Sequence, residues 1–216
     1  MLIDLTHPMG NGMAVWPGHP EFKQTAVSSF AEGEIACNHS LHMSEHSGTH
    51  FDAPAHFIDG AATIDTIPLP TFFGRLATLS PAVGPDGEVG PEAVHAFEAA
   101  HGPILRGDAV AFRFGWDRYF EAKSPLVFRD WPGLSGETAA LLVARGVRIV
   151  ATDAMSIDRF GSTSFPAHRT LLAAGVLIGE NFANLGGLPP FCRLTALPLK
   201  IEGGSGAPLR AVAEID

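Results

Sequence analysis

His46, His50, Asp52 and His56 fall within the run His-Ser-Gly-Thr-His-Phe-Asp-Ala-Pro-Ala-His-Phe, residues 46–57. Neutral imidazole nitrogens and a carboxylate are ligands that Zn²⁺ and Mn²⁺ favour, and a catalytic centre needs at least three while keeping one coordination position open for water. His46, His50 and Asp52 can supply them. His56, four residues beyond Asp52, is placed to act as a neighbouring acid or base, with a fourth ligand or an orienting group as the alternatives. A histidine-rich surface loop is the competing explanation. It would not by itself draw three of the ten histidines into eleven positions free of any run of solvated charge.

The spacing constrains how the ligands are presented. His46 and His50 are four apart, as on one side of a helical turn, but Gly48 between them and Pro54 just beyond argue against a helix interior. A tight loop is expected, bringing the three side chains together from different directions, with Pro54 limiting its freedom. Two strands, Phe22 to Ser28 and Glu34 to Ser44, should feed this loop. In the second, Ile35, Cys37, His39, Leu41 and Met43 share one face, and Asn38, Ser40, His42, Ser44 and His46 share the other. The second face leads toward the ligands.

The surrounding chain reads as mixed α/β. Leu2 to Thr6 alternates as a short strand, and the Gly- and Pro-rich segment from Pro8 to Pro20, with Trp16 and His19, is irregular. Gly74 to Leu79 and Asp108 to Phe114 are strand candidates. Pro91 to His101 is a helix with Val94 and Phe97 as its apolar stripe and Gly102 at its end. Ser135 can cap a second helix that Gly146 terminates. Val147 to Thr152 is a continuous apolar strand of the kind covered on both faces, and it delivers Asp153, Ser156 and Asp158 at its carboxyl end as ligand-orienting or turn-capping groups. A short helix is expected from His168 to Ala174, then a strand from Val176 that runs into Gly179 and Glu180. Cys192 to Ile201 and Leu209 to Ile215 complete the strands. No repeat or linker divides the 216 residues, so a single domain over 1–216 is expected, a mixed β-sheet core with flanking helices.

Composition removes several classes of function. With 46% hydrophobic and 17% charged residues the chain can form a packed globule. A net charge of −9 without a basic cluster excludes a nucleic-acid groove, where phosphates must be neutralised. No run of about 18 apolar residues suggests a membrane span, and the amino terminus lacks the pattern of a secretory signal. Cys37 and Cys192 are too few for a disulfide scaffold and fit a reducing, cytoplasmic setting. Gly-x-Ser-x-Gly does not occur, and neither cysteine has flanks that would activate it, so a protein nucleophile is not indicated.

The motif His-x-Gly-x-His-x-Asp-x-Pro-x-His, met by His46, Gly48, His50, Asp52, Pro54 and His56, resembles that of the metal-dependent hydrolases of the cyclase family, which include bacterial kynurenine formamidase and isatin hydrolase. The resemblance extends to Trp-Pro-Gly at 16–18, Arg-Phe-Gly-Trp at 113–116, Thr-Asp-Ala-Met-Ser-Ile-Asp at 152–158, and the pair His168 and Glu180. It implies a swivelling β/β/α-like architecture, and a first metal held by His46, His50 and Asp52. Asp52 would bridge to a second metal held by His168 and Glu180, so one or two divalent ions, Zn or Mn, are expected. It implies His56 as the catalytic proton relay between a metal-activated water and the departing nitrogen, and a homodimer or homotetramer. Trp16 and Phe57 are expected to touch a small-molecule substrate, and Phe72 and Phe73 could add to an apolar pocket. His19 stands where the family often has an acid.

The activity expected is hydrolysis of a small aryl formamide or cyclic amide. Thr49 and Phe57 depart from kynurenine formamidases, which often carry Ala and Tyr there, so that specific activity is the alternative to the broader one. A non-catalytic metal-binding member, or a synthase closing a ring by dehydration, would use the same ligands.

Overall fold

The structure is a computed structural model and describes residues 1–215. Twelve strands are found among the described residues: β1 (Leu2–Asp4), β2 (Lys23–Ser28), β3 (Asn38–His42), β4 (His50–Asp52), β5 (Phe73–Leu79), β6 (Glu88–Val89), β7 (Ala109–Phe112), β8 (Gly133–Leu134), β9 (Ile149–Thr152), β10 (Leu177–Glu180), β11 (Phe191–Pro198) and β12 (Gly206–Glu214). Four α-helices accompany them: α1 (Pro91–His101), α2 (Asp117–Glu121), α3 (Gly136–Arg145) and α4 (Pro166–Ala173).

Eight strands form one mixed sheet in the order β1-β12-β11-β5-β7-β9-β10-β4, and β4 pairs again with β12. That second pairing closes the sheet on itself as a barrel. Strand β12 makes closure possible because its start, Gly206 to Pro208, pairs with β4, while Val212 to Glu214 pairs with β1. Closure leaves few unpaired edges.

Alternation along each strand sorts residues to the two faces of the barrel wall. Inside lie Phe51, Leu76, Ala109, Ala111, Ile149, Ala151, Leu177 and Leu194 with Leu5 and Phe182, a fully apolar filling. Alanines at 109, 111, 151, 196, 207, 211 and 213 keep the interior narrow enough for the large rings of Phe51, Phe72 and Phe182 to fill it. The opposite parity, Ala77, Leu79, Val110, Phe112, Val150 and Ile178, faces α1, α3 and α4 with Val94, Phe97, Leu142, Leu171 and Leu172. Each large side chain so buried contributes about 1.5–3 kcal/mol.

Helix ends follow the expected chemistry. The Ser135 side chain accepts from Thr138 N at 3.2 Å, and Gly146 ends α3 in the left-handed region. Helix α1 runs from Pro91 to the expected stop at Gly102, with Val94 and Phe97 buried.

Three expectations need correction. His50 to Asp52 is a strand, not part of a loop, because His-x-Asp has the two-residue period that a sheet presents on one face. The helix carrying His168 begins at Pro166, whose fixed φ suits a first turn, so His168 is its third residue. Strands β2 and β3 do pair, but Ile35 and Cys37 lie before β3 begins, and both strands stand away from the core with Ile35 97% exposed.

Candidate metal centre

Strand parity builds the centre. Phe51 points into the barrel, so His50 and Asp52 on either side of it point out. In the antiparallel pairing of β4 and β10, Glu180 lies opposite His50 and Ile178 opposite Asp52, which puts Glu180 on the same outer face. Helix α4 crosses that face and lowers His168 onto it. His46 arrives from the turn before β4, where Gly48 takes φ +64° and spares a side chain strain.

The result is two groups of candidate ligands that share Asp52. Ligand atoms of His46, His50 and Asp52 lie within 4.8 Å of one another, and so do those of Asp52, His168 and Glu180. Asp52 Oδ1 faces His46 Nδ1 at 2.7 Å and His50 Nε2 at 3.3 Å, while Oδ2 faces His168 Nε2 at 3.4 Å. His168 Nε2 is also 3.4 Å from Glu180 Oε1, and His50 Nε2 is 3.7 Å from Glu180 Oε2. Oδ2 of Asp52 is buried and has no hydrogen bond. Three imidazoles and two carboxylates converging on so small a volume, with one carboxylate oxygen turned toward each group, fit one or two divalent cations.

The electrostatics agree. Burial alone would raise the Asp52 carboxyl, but the imidazoles of His168, His46 and His50 packed around it outweigh that and hold the group well below the usual range. Burial would lower His168, yet Asp158, Asp52 and Glu180 carry it well above its ordinary value. His50 is likewise raised against burial, by Asp52 and Glu180. Burial and the Asp52 charge together raise Glu180. Such a cluster attracts positive charge, and a cation held there would take the place of the protons on the imidazoles.

Behind the ligands stands a supporting layer only partly visible in sequence. Asp158 Oδ2 accepts from His168 Nδ1 at 2.6 Å, and the same carboxylate accepts from the backbone N–H groups of Ala167 and His168. It therefore both caps α4 and fixes the His168 tautomer, the two roles that sequence left open. Asp153 instead accepts from Phe114 N at 2.8 Å and Gly115 N at 2.7 Å, anchoring the Arg-Phe-Gly-Trp turn. His50 Nδ1 donates to Gly48 O at 2.9 Å, which leaves Nε2 for the metal side. Ser205 and Glu45 support His46 Nε2, and a Cβ at Gly206 would come 2.5 Å from the His46 ring. Nothing near 205 and 206 in the sequence signals this, because the contact exists only when the barrel closes.

A cavity of about 230 Å³ opens above the ligands, lined by Trp16, His19, His56, Phe57, Met155 and Phe165 among others. His56 stands with its ring 4.0 Å from that of His46 and 6.3 Å from that of His168. Burial lowers its pKa to about 4, partly offset by Asp52, so the imidazole is neutral near pH 7. Phe57 stacks on His168 at 4.7 Å and Trp16 lines the same cavity. Phe72 does not: it is buried against Phe51 in the barrel interior, while Phe73 begins β5 outside the cavity. His19 lies with its ring 6.3 Å from His46, and His42 is exposed on β3.

The sequence model of the family described as "Putative cyclase" matches residues 3–159. The chain belongs to the cyclase family. It is 34% identical to a kynurenine formamidase of Salinibacter ruber (strain DSM 13855 / M31) over 98% of this chain and 96% of that protein. It superposes on isatin hydrolase A from Labrenzia aggregata, bound to benzyl benzoate, with TM-score 0.90 and 31% identity, over 99% of this chain and 93% of that one. A potential metal-dependent hydrolase with cyclase activity gives TM-score 0.76 at 28% identity, over 99% of this chain and 96% of the other. This cyclase-family chain thus shares the mixed α/β architecture of those proteins over essentially its whole length.

Proposed function

We propose that the protein hydrolyses the amide bond of a small aryl formamide or cyclic amide, using one or two divalent cations, Zn²⁺ or Mn²⁺, held by His46, His50 and Asp52 and by Asp52, His168 and Glu180. Metal-dependent hydrolysis of a non-peptide C–N bond is the activity that family membership and this donor set give the chain. A cation bound there acidifies water and polarises the scissile carbonyl.

The observation that carries the reading is His56. Its ring borders the ligand cluster inside the cavity, its nitrogens make no hydrogen bond among the described residues, and burial keeps it neutral. A neutral imidazole can take the proton from the attacking water and return it to the departing nitrogen. A storage site has no use for such a group. Trp16 and Phe57 flank the cavity and would hold a planar aryl group while excluding bulk water. Kynurenine formamidase activity on N-formyl-L-kynurenine is the specific alternative, supported by the Salinibacter relative.

The test is hydrolysis of N-formyl-L-kynurenine and of isatin, side by side, by metal-stripped protein reloaded with Zn²⁺ or Mn²⁺. Metal-restored turnover of either compound supports the reading and selects the branch. Stoichiometric metal binding without turnover of either, or of a wider set of lactams and imides, refutes it.

We also infer a homodimer or homotetramer, because β2 and β3 form a two-stranded ribbon outside the barrel that exposes Val27, Phe30, Ile35 and Leu41. An isolated hairpin is marginal in water, and these side chains need a cover. Light scattering on the eluted protein measures the mass directly. No helix among the described residues is long and apolar enough to cross a membrane, and both cysteines are free. These features support a cytoplasmic location, which fractionation of cells would test.

A further inference from the structure

A second cavity of about 240 Å³ adjoins the metal cavity and shares Trp16, Ser156 and Phe165 with it. Its other walls include three aromatic rings, Phe128, Trp131 and Phe160, together with Pro17, Arg159 and the turn at Gly161 and Ser162. Trp131 is fixed in place, its indole N–H donating to Asp158 O at 2.9 Å. It meets Trp16 edge-on at 5.8 Å and Phe160 edge-on at 5.1 Å, so ring edges and faces already alternate around the compartment.

Phe165 forms the partition. Its backbone lies at φ +48° and ψ +55°, a region that bulky residues adopt only when their surroundings impose it. That conformation at the N-cap of α4 sets the ring against Phe57 at 5.6 Å on the metal side while leaving Phe165 in the wall of the second cavity. The charge at this second cavity is spoken for. Arg159, which also lines it, pairs with Asp86 at 2.9 Å and Glu88 at 3.4 Å, so no unpaired cation invites a carboxylate.

We infer that this compartment receives an uncharged aromatic ring on the far side of the scissile amide, so that amides with a ring on each side bind more tightly than aryl formamides with a single ring. The placement of the amide at the ligand cluster rests on the hydrolase reading above. One ring then lies against Phe57 in the metal cavity, and the second passes Phe165 to lodge among Phe128, Trp131 and Phe160.

The test compares binding of formanilide, with one ring, and benzanilide, with two, to the metal-loaded protein, read by quenching of tryptophan fluorescence. Trp16 and Trp131, two of the three tryptophans, line the compartment and report its occupancy. Benzanilide is expected to bind at least about tenfold more tightly, the size of effect a well-packed ring supplies. Ser162→Phe, at a half-buried wall position whose hydroxyl accepts from Phe165 N at 3.3 Å, should fill the compartment and reduce the preference to less than about threefold. Phe128→Ala, which strips a wall from a residue already 39% exposed, should reduce it in the same direction without endangering the core. Equal affinity for the two compounds, or a preference that survives in both variants, overturns the inference, including the case in which a second copy of the chain covers the compartment. Because the readout is binding, absent turnover with the preference intact would count against the hydrolase reading and leave the compartment standing.

Discussion

Asp158 Oδ2 lies 2.6 Å from His168 Nδ1 and also accepts the His168 backbone N–H at 3.1 Å, so one carboxylate fixes both the ring and the main chain of this candidate ligand. Carboxylate–histidine–metal arrangements of this kind raise ligand basicity and set the tautomer. Asp158→Asn retains an acceptor but loses the charge. Cation affinity at the group containing His168 should fall about 10- to 100-fold, with a smaller effect on the melting temperature of the metal-free protein. Calorimetric metal titration gives the first quantity and thermal denaturation the second; an unchanged affinity would remove Asp158 from the centre.

His56→Ala should separate binding from chemistry. The ligands stay in place, so metal stoichiometry is expected to match that of the unaltered protein, while kcat falls about 10²- to 10⁴-fold. Loss of metal along with activity would instead make His56 a ligand.

Asp52 belongs to both ligand groups. Asp52→Ala should therefore abolish cation binding at both, whereas Glu180→Gln should weaken only the group it shares with His168. Elemental analysis of dialysed protein distinguishes the two outcomes. Chelation of the unaltered protein should abolish turnover and lower the melting temperature, since a ligand that binds only the folded chain stabilises it by mass action.

Gly206 supplies a test of how closely the barrel seam fits the ligands. A Cβ there would meet His46 Cε1 at 2.5 Å and Phe51 O at 2.6 Å. Gly206→Ala should displace His46 or part β12 from β4, reducing cation affinity at the group containing His46 more than at the other. Metal titration of this variant with and without Glu180→Gln would locate the loss.

His7 predicts a pH dependence outside the metal centre. It is 2% exposed, stacks on Phe120 at 4.4 Å, and has neither ring nitrogen hydrogen-bonded. Burial pulls its pKa from 6.5 to about 4, the charge of Asp117 opposing only in part. Between these values the unfolded chain binds a proton that the folded chain refuses. The contribution to stability is full above about pH 6.5 and is lost as the pH falls toward 4, by no more than about 3 kcal/mol. His7→Phe, which keeps a ring against Phe120, should flatten this part of the curve. Urea denaturation of both metal-free proteins at pH 7 and pH 4.5 checks it, and parallel losses would place the effect elsewhere.

Much of this was legible in the order of residues because it is local chemistry. The 46–56 motif named the candidate ligands, Ser135 and Gly146 bounded a helix through capping geometry, and Pro91 and Gly102 bounded another. Sequence reading failed where pairing decides. Gly48 and Pro54 on either side of His50 and Asp52 predict a loop, yet the partner strands β10 and β12 make that segment a strand. Phe72 fills the barrel interior and not the pocket, and hydrophobic type does not tell which side of a barrel wall a side chain takes.

The sequence by itself determined which atoms could bind a cation, since donor chemistry belongs to the residue, and it determined that the chain could form a mixed α/β core. Only the tertiary structure decided that Asp52 turns one oxygen to each ligand group, that Asp158 rather than Asp153 holds His168, and that Gly206 must lack a side chain. Those facts depend on strand register and barrel closure, which bring together residues as far apart as His46 and Ser205, and a long-range pairing leaves no periodic mark in either segment alone.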